Sequence, residues 1–234
     1  VQTTDGALGG YNLLIHQRVC DDSYTTRLLI YDPAGEPRWA YVLPIQAHAD
    51  MGAEYWGDGL ILWGGASASE PGDGAPRLLS LDHQEVWRAG YEGADSASYH
   101  HTAEQQHDGT LLTLTVEPVV QDEEAWDGFA LHRILPFEDE LVWAWSVQQA
   151  VDAGELDTEG VRDWGPNWAG LMQDDGRGLA VVSLCEDKLV MAVDTATDAV
   201  VWTFSVNGSL ELTEGSYPEC QHGGDIQGQR LLLY

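Results

Sequence analysis

Lysine is nearly absent from this 234-residue chain, with Lys188 as its single example. Lysine and arginine together number 10 against 39 aspartate and glutamate residues, so the formal net charge is −29 at pH 7. Phosphate backbones and anionic lipids are bound by clustered basic side chains, and this charge balance therefore excludes nucleic acid and anionic membrane surfaces as partners. The acidic residues are spread along the whole chain, which indicates a strongly solvated exterior.

Cysteine is scarce as well, and the spacing of Cys20, Cys185 and Cys220 is not that of a zinc site. No segment has the alternating aspartates of an EF-hand loop, so we predict neither a metal nor a cofactor. No apolar run approaches the roughly 20 residues of a membrane-spanning helix, and no segment has the pattern of a signal peptide. The sequence starts abruptly and stops inside an apparent strand, so we expect it to be part of a longer protein.

Apolar and aromatic residues are plentiful, with 44% hydrophobic content, 10 tryptophans and 9 tyrosines. Their pattern is clearest in residues 98–147, where four strand-like segments alternate with turn residues. The first segment follows the pair His100 and His101 and ends at a turn formed by Asp108 and Gly109, and the fourth contains Trp143. Helical periodicity is lacking, apart from a short helical turn that we expect within residues 148–162.

The same pattern recurs along the chain, in units at approximately residues 9–45, 48–91, 98–147, 163–206 and 217–234. Each of the first four units closes with a tryptophan, and these are 48, 56 and 59 residues apart: Trp39, Trp87, Trp143 and Trp202. Four strands in a repeat of this length are typical of a β-propeller, whose blades bury their faces against each other. We predict one all-β propeller domain with four complete four-stranded antiparallel blades and part of a fifth; a β-sandwich or β-helix is the alternative.

Strand direction alternates within each unit, so the start of the first strand and the end of the second strand lie at the same end of a blade. Propellers bind ligands where such positions converge around the axis. The residues expected there are His48, His100, His101, Asn167, Trp168, Cys220 and His222. Of these we assign ligand binding to His48, Asn167 and Trp168, with a hydrogen-bonded structural role as the alternative for any one histidine.

The same topology brings two cysteines together. Cys185 ends the second strand of the fourth unit, and Cys220 begins the first strand of the fifth, so both lie at one end of neighbouring blades. There a disulfide is within reach, and two separate buried thiols are the alternative. A disulfide would imply an oxidising compartment, so the predicted location is extracellular or periplasmic.

The units resemble the arylsulfotransferase-type propellers, in which histidine-bearing phrases recur at the start of successive blades. The matching phrases are residues 99–104, 163–167 and 220–222. Residues 194–202, which end in Trp202, are similar more diffusely to quinoprotein-type propellers. The resemblance implies transfer of a sulfuryl group between phenolic compounds through a sulfated histidine, with cationic side chains stabilising the transferred charge.

Carried over position by position, this resemblance makes His100, His101, His222 and Arg162 the candidate catalytic residues. The fourth unit departs from the family pattern, because Gly165 and Pro166 stand where a histidine is expected and residues 184–187 lack the expected Arg-His pair. Two functions therefore remain open. One is a secreted sulfotransferase-like enzyme acting on small phenolic or sulfated ligands, and the other is a non-catalytic propeller that binds an extracellular ligand or a protein partner.

Overall fold

The computed structural model describes residues 10–20, 23–42, 52–56, 59–63, 75–90, 98–121, 123–156, 164–217, 219–221 and 223–233. In these residues the chain forms strands β1 to β17 and one short helix, α1. The prediction of an all-β protein is confirmed. Within the same residues, no helix has the length and apolar composition that a membrane span requires.

The strands form five separate antiparallel sheets, each built from strands that follow one another in the chain. Sheet one contains β1 (Asn12–Cys20), β2 (Ser23–Tyr31) and β3 (Pro37–Val42). Sheet two contains β4 (Gly52–Trp56), β5 (Gly59–Trp63), β6 (Arg77–Ser80) and β7 (Glu85–Arg88). Sheet three contains β8 (Ser98–Gln105), β9 (Leu111–Gln121), β10 (Glu124–Leu135) and β11 (Glu140–Ser146).

Sheet four contains β12 (Pro166–Asp174), β13 (Arg177–Leu184), β14 (Leu189–Asp194) and β15 (Val200–Phe204), and sheet five contains β16 (Gly224–Gln227) and β17 (Arg230–Leu233). Sheet one differs from the predicted four-stranded unit. Its third strand carries Trp39, which corresponds to the tryptophan on the fourth strand of the later sheets. The three described strands of sheet one are therefore equivalent to strands two, three and four elsewhere.

Tight turns end the strands at equivalent positions in the first four sheets. The turn before the tryptophan-bearing strand contains a residue with positive φ, and in all four cases the tryptophan follows it by four residues. These residues are Gly35, His83, Asp139 and Asp198, with φ of 82°, 69°, 52° and 63°. Glycine adopts this left-handed conformation freely and aspartate is enriched in it, so the turn chemistry explains why the strand reverses at this point.

The closing tryptophans join consecutive sheets by hydrogen bonds. Each of the first three donates its indole N–H to the turn that precedes the last strand of the following sheet. Trp39 Nε1 donates to Leu81 O at 2.6 Å, Trp87 Nε1 to Asp139 Oδ1 at 3.0 Å, and Trp143 Nε1 to Asp198 Oδ1 at 2.9 Å. We call this contact the indole latch. Trp87 is buried while Trp39, Trp143 and Trp202 are only partly buried, so the tryptophans cover the seam between sheets as well as filling it.

The largest apolar cluster lies where sheet three meets sheet four. Phe129 and Trp145 from sheet three pack with the fully buried Trp164. The ring centroid of Phe129 lies 5.9 Å from that of Trp145 and 6.5 Å from that of Trp164. Helix α1 (Val147–Ala153) covers part of this cluster with Val147, Ala150 and Val151. Burial of this apolar area, at about 25 cal/mol per Å², is the main force that holds the two sheets together.

Helix α1 begins directly after β11 because Ser146 caps it. The Ser146 side chain accepts a hydrogen bond from Gln148 N, and the Gln149 side chain accepts one from Ser146 N. The helix supports the long β9–β10 hairpin through Gln148, whose side-chain amide pairs with both the N–H and the C=O of Val120. The predicted helical turn within residues 148–162 is confirmed, one residue earlier than expected.

Candidate functional site

The first strands of neighbouring sheets lie side by side. Strand β12 packs against β8 on one side and β16 on the other, and β8 also packs against β4. We call the end of a sheet at which its first strand begins the start end, and the opposite end, where this strand turns into the second, the turn end. The predicted site residues belong to the start ends of β8, β12 and the segment before β16.

Three of the predicted site residues, His48, Arg162 and His222, lie outside the described residues. His100 and His101 lie on β8, in the stretch between Tyr99 and Ala103 where the pairing with β9 shifts register. Counted back from the turn glycines Gly109 and Gly176, the histidine pair occupies the same repeat positions as Asn167 and Trp168 on β12. The backbone therefore brings both predicted pairs to the start ends of adjacent first strands.

Trp168 joins sheets four and five. A Cβ on Gly170 would lie 2.7 Å from the Trp168 ring, and a Cβ on Gly224, the first residue of β16, would lie 2.8 Å from it. Both distances are too short for any residue but glycine, so the two glycines create the space that the indole fills. Glu104 of β8 reaches the same place, with its Oε2 atom 3.0 Å from the Cβ position of Gly170.

Asn167 is buried beside this tryptophan, and the backbone of Ala169 donates a hydrogen bond to Thr102 Oγ1 across 3.2 Å. The latter bond links β12 directly to β8, since Thr102 is itself buried. The row of side chains along β8 and β12 thus contains an amide, an indole and a carboxylate, which we call the first-strand row: Asn167, Trp168 and Glu104. It places an aromatic ring and an amide beside a negative charge, with Asn167 buried and with Trp168 and Glu104 partly buried.

A disulfide joins Cys185 to Cys220, with the two Cα atoms 4.2 Å apart. This is the pairing predicted from the sequence, and it connects the β13–β14 turn of sheet four to the segment that leads into sheet five. Gln221 reinforces the connection, because its side-chain nitrogen lies 3.4 Å from Leu184 O and 3.3 Å from Leu189 O, and its own carbonyl accepts from Ser183 Oγ. The start end of the seam between sheets four and five is therefore held covalently and by buried hydrogen bonds.

Three arginine side chains are held at the turn end of the sheets. Arg133 pairs with Asp108, and Arg177 pairs with Asp174 at 2.9 Å, in both cases beside the turn between the first and second strands. Arg38 pairs with Asp32 at 2.5 Å beside the turn before β3. At the start end of sheet two, Arg77 and Arg88 pair with Glu85 at 3.8 and 2.9 Å. The charged member of the first-strand row is Glu104, a carboxylate.

The described residues contain no cluster of three or more histidine, cysteine or acidic side chains arranged to hold a metal ion. Comparison with protein-family models gave no match, and no curated protein sequence matches the chain.

Sequence reasoning missed Glu104, Thr102, Gln221 and the glycines beside Trp168. Glu104 and Thr102 carry no motif of their own, and their importance arises only when β8 lies against β12. A usable signal existed for Gly170, since glycine inside an otherwise apolar strand often marks a close approach of another group. It lies two residues after Trp168, which places both on the same face of the strand.

Proposed function

We propose that the chain is part of a β-propeller whose first strands surround a ligand-binding site, and that it serves as a binding module. Support for the propeller comes from three repeated features of the fold. Successive antiparallel sheets follow the chain order, their first strands are neighbours, and the indole latch recurs between sheets one and two, two and three, and three and four. Repeated contacts of this kind between adjacent four-stranded units are what radial packing of blades requires.

The observation that carries the binding function is the first-strand row. Trp168 stands at the repeat position of His101 and is fixed by the two glycines, so an aromatic plate replaces a nucleophile in this copy. Glu104 supplies a carboxylate on the neighbouring strand. A preformed aromatic surface beside hydrogen-bonding groups is the usual composition of a binding site, and rigid support from two sheets lowers the entropy cost of binding.

Electrostatics favours this function over sulfuryl transfer. A sulfate ester is an anion, and a chain of net charge −29 repels it at long range. Stabilisation of the transferred group also needs donors or cations at the site, whereas Glu104 brings negative charge there. We therefore propose a neutral or cationic extracellular ligand or protein partner, in place of the phenolic sulfate that the family resemblance implies.

The disulfide supports a location outside the reducing cytosol. Cys185–Cys220 closes a loop between residues 35 apart in the sequence, and structural disulfides of this kind persist in oxidising compartments. We propose that the protein is extracellular or periplasmic.

The decisive experiment assays the purified chain with 4-nitrophenyl sulfate as donor and phenol as acceptor, comparing the unaltered protein with His101→Ala. We expect no 4-nitrophenolate above the uncatalysed rate with either protein. Release that depends on both phenol and His101, while the thermal melting temperature of His101→Ala is unchanged, would establish the sulfotransferase instead. For the propeller itself, electron microscopy or a crystal structure must show the first strands around a common axis; a sandwich of two packed sheets would refute it.

A further inference from the structure

A groove of approximately 440 Å³ lies at the turn end of the seam between sheets one and two. Its lining includes three aromatic residues, Tyr11, Trp39 and Tyr55, and it is predominantly apolar. Tyr11 and Tyr55 are 61% and 45% exposed, so part of their surface is available to a ligand. The groove lies between sheets one and two, whereas the first-strand row belongs to sheets three and four, so the two are independent.

Trp39 belongs to the repeat, but the two tyrosines of the lining do not. Tyr55 lies four residues before the turn glycine Gly59, and the residues at the same spacing in sheets three and four are Gln105 and Met172. Tyr11 follows Gly10 directly, a position taken by threonine in sheet three and arginine in sheet four. The sheets therefore fold without tyrosine at these positions, and a role in binding accounts for rings that packing does not demand.

Trp39 is fixed in place by its neighbours. Its indole N–H donates to Leu81 O in the next sheet, and its ring contacts those of Tyr41 and His83 at centroid distances of 6.0 and 5.2 Å. The polar atom of the indole is therefore already occupied, so the contact that Trp39 offers to a ligand is its π surface. An aromatic face carries partial negative charge and attracts cations.

The charge around the groove agrees with a cationic occupant. Arg38 also lines it, but one carboxylate oxygen of Asp32 accepts from Arg38 Nε at 2.7 Å and pairs with its Nη2 at 2.5 Å. The backbone N–H of Glu36 and then the Arg38 guanidinium hold the pKa of Asp32 below its ordinary value, so this pair stays ionised and neutral overall. Glu36 and Asp82 add carboxylates in the two adjoining turns, and the whole chain is strongly negative.

From these observations we propose that the groove formed by Tyr11, Trp39 and Tyr55 binds a small ligand through a quaternary ammonium group. Such a group carries a positive charge that is spread over methyl groups, so it loses little hydration on entering an apolar site and gains cation–π attraction from each ring. A primary ammonium is more strongly hydrated and fits this lining less well. Partial burial raises the pKa of Tyr55 further above its ordinary alkaline value, so its hydroxyl is neutral at pH 7 and the ring is an uncharged aromatic wall.

The test uses choline and its neutral isostere 3,3-dimethylbutan-1-ol, which have the same shape and differ in charge. Isothermal titration calorimetry on the intact chain at low ionic strength measures both. We expect choline to bind at least tenfold more tightly than the alcohol, and added salt to weaken only choline because it screens the long-range attraction. Equal affinity for the two probes, or no choline binding, overturns the proposal.

Three variants locate the site. Tyr55→Leu removes a ring but keeps apolar volume, and we expect a roughly 2- to 30-fold loss of choline affinity, the range of a single cation–π contact. Tyr55→Phe keeps the ring and is expected to bind choline nearly as well as the unaltered protein. Phe137→Leu changes an exposed aromatic residue in the turn before β11 of sheet three, outside the groove lining, and serves as the matched control. Unchanged affinity in Tyr55→Leu, with circular dichroism showing an intact fold, refutes this placement even if choline binds elsewhere.

Discussion

The indole latch between Trp87 and Asp139 is open to a direct energetic test. Asp139 Oδ1 accepts from Trp87 Nε1 at 3.0 Å and from the backbone of Gly90 at 3.2 Å, so one carboxylate ties the end of sheet two to the turn of sheet three. A hydrogen bond to a charged group stabilises by about 1.5–3 kcal/mol, and the lower end applies because Asp139 itself is exposed to solvent. We expect a coupling energy of about 1.5 kcal/mol between the two side chains.

The perturbation is a double-mutant cycle of Trp87→Phe and Asp139→Gly. Glycine suits the positive φ of 52° at position 139, so this substitution removes the acceptor without adding backbone strain. Phenylalanine keeps most of the buried ring and removes the donor. Trp87→Phe leaves Asp139 with the Gly90 N–H and solvent as partners, whereas Asp139→Gly leaves the Trp87 indole N–H without this acceptor. The difference between the double variant and the sum of the single variants gives the coupling.

Urea unfolding followed by far-ultraviolet circular dichroism provides the measurement. With a slope of about 3 kcal/mol per M, a 1.5 kcal/mol change moves the midpoint by about 0.5 M. Trp126→Phe is the matched control, since the buried Trp126 indole N–H has no acceptor among the described residues and its loss removes no hydrogen bond. A coupling below about 0.5 kcal/mol, or a control as costly as Trp87→Phe, would show that the latch contributes only packing.

The remaining predictions address the seam between sheets four and five and the acid end of the pH range. Gly224→Ala is expected to cost about 1–3 kcal/mol by overpacking against Trp168, and much less in a Trp168→Ala background, as urea midpoints will show. Replacing Cys185 and Cys220 by serine should lower stability by about 4 kcal/mol in the chain-entropy description, and alkylation of both thiols without reductant would contradict the disulfide. Folding lowers the pKa of Asp32 from 3.8, so ionised Asp32 stabilises the folded state. This contribution is complete above pH 3.8 and disappears as the pH falls through the lower pKa of the folded state. Urea midpoints of the chain and of Asp32→Asn between pH 7 and 2.5 should therefore converge in acid, and a constant difference would refute the linkage.

Local chemistry made the order of strands and turns predictable, although β9 and β10 extend into residues 117–128, where the sequence predicted an acidic loop. Turn residues and alternating apolar segments are encoded within a few positions, and a closing tryptophan four residues after a left-handed turn residue repeats the signal in four units. The helix was equally readable, since Ser146 and Gln149 have the spacing of a capping box. The disulfide followed from strand direction alone, because topology fixes which ends of neighbouring sheets meet.

The candidate site depended on contacts between units and was harder to predict. Nothing near Trp168 in the sequence indicates that Gly224 will lie against its ring, because 56 residues separate them. The same holds for Trp143 and Asp198, 55 residues apart, whose hydrogen bond depends on how two sheets pack. Such pairings are set by the relative placement of whole sheets, which no local propensity encodes.

Repetition also changes how a functional residue can be recognised in this chain. A residue that occupies the same position in every unit is explained by the needs of the fold, as the latch tryptophans are. A residue that departs from its repeat position, at no evident gain in packing, requires another explanation. Tyr55 is such a departure, because it stands where sheets three and four have glutamine and methionine, and it is exposed at the turn end of the seam between sheets one and two. Trp168 also departs from its repeat, since sheet three has a histidine at this position, but its ring fills the space beside Gly170 and Gly224. Packing therefore accounts for part of its presence, and Tyr55 is the stronger of the two signals for binding.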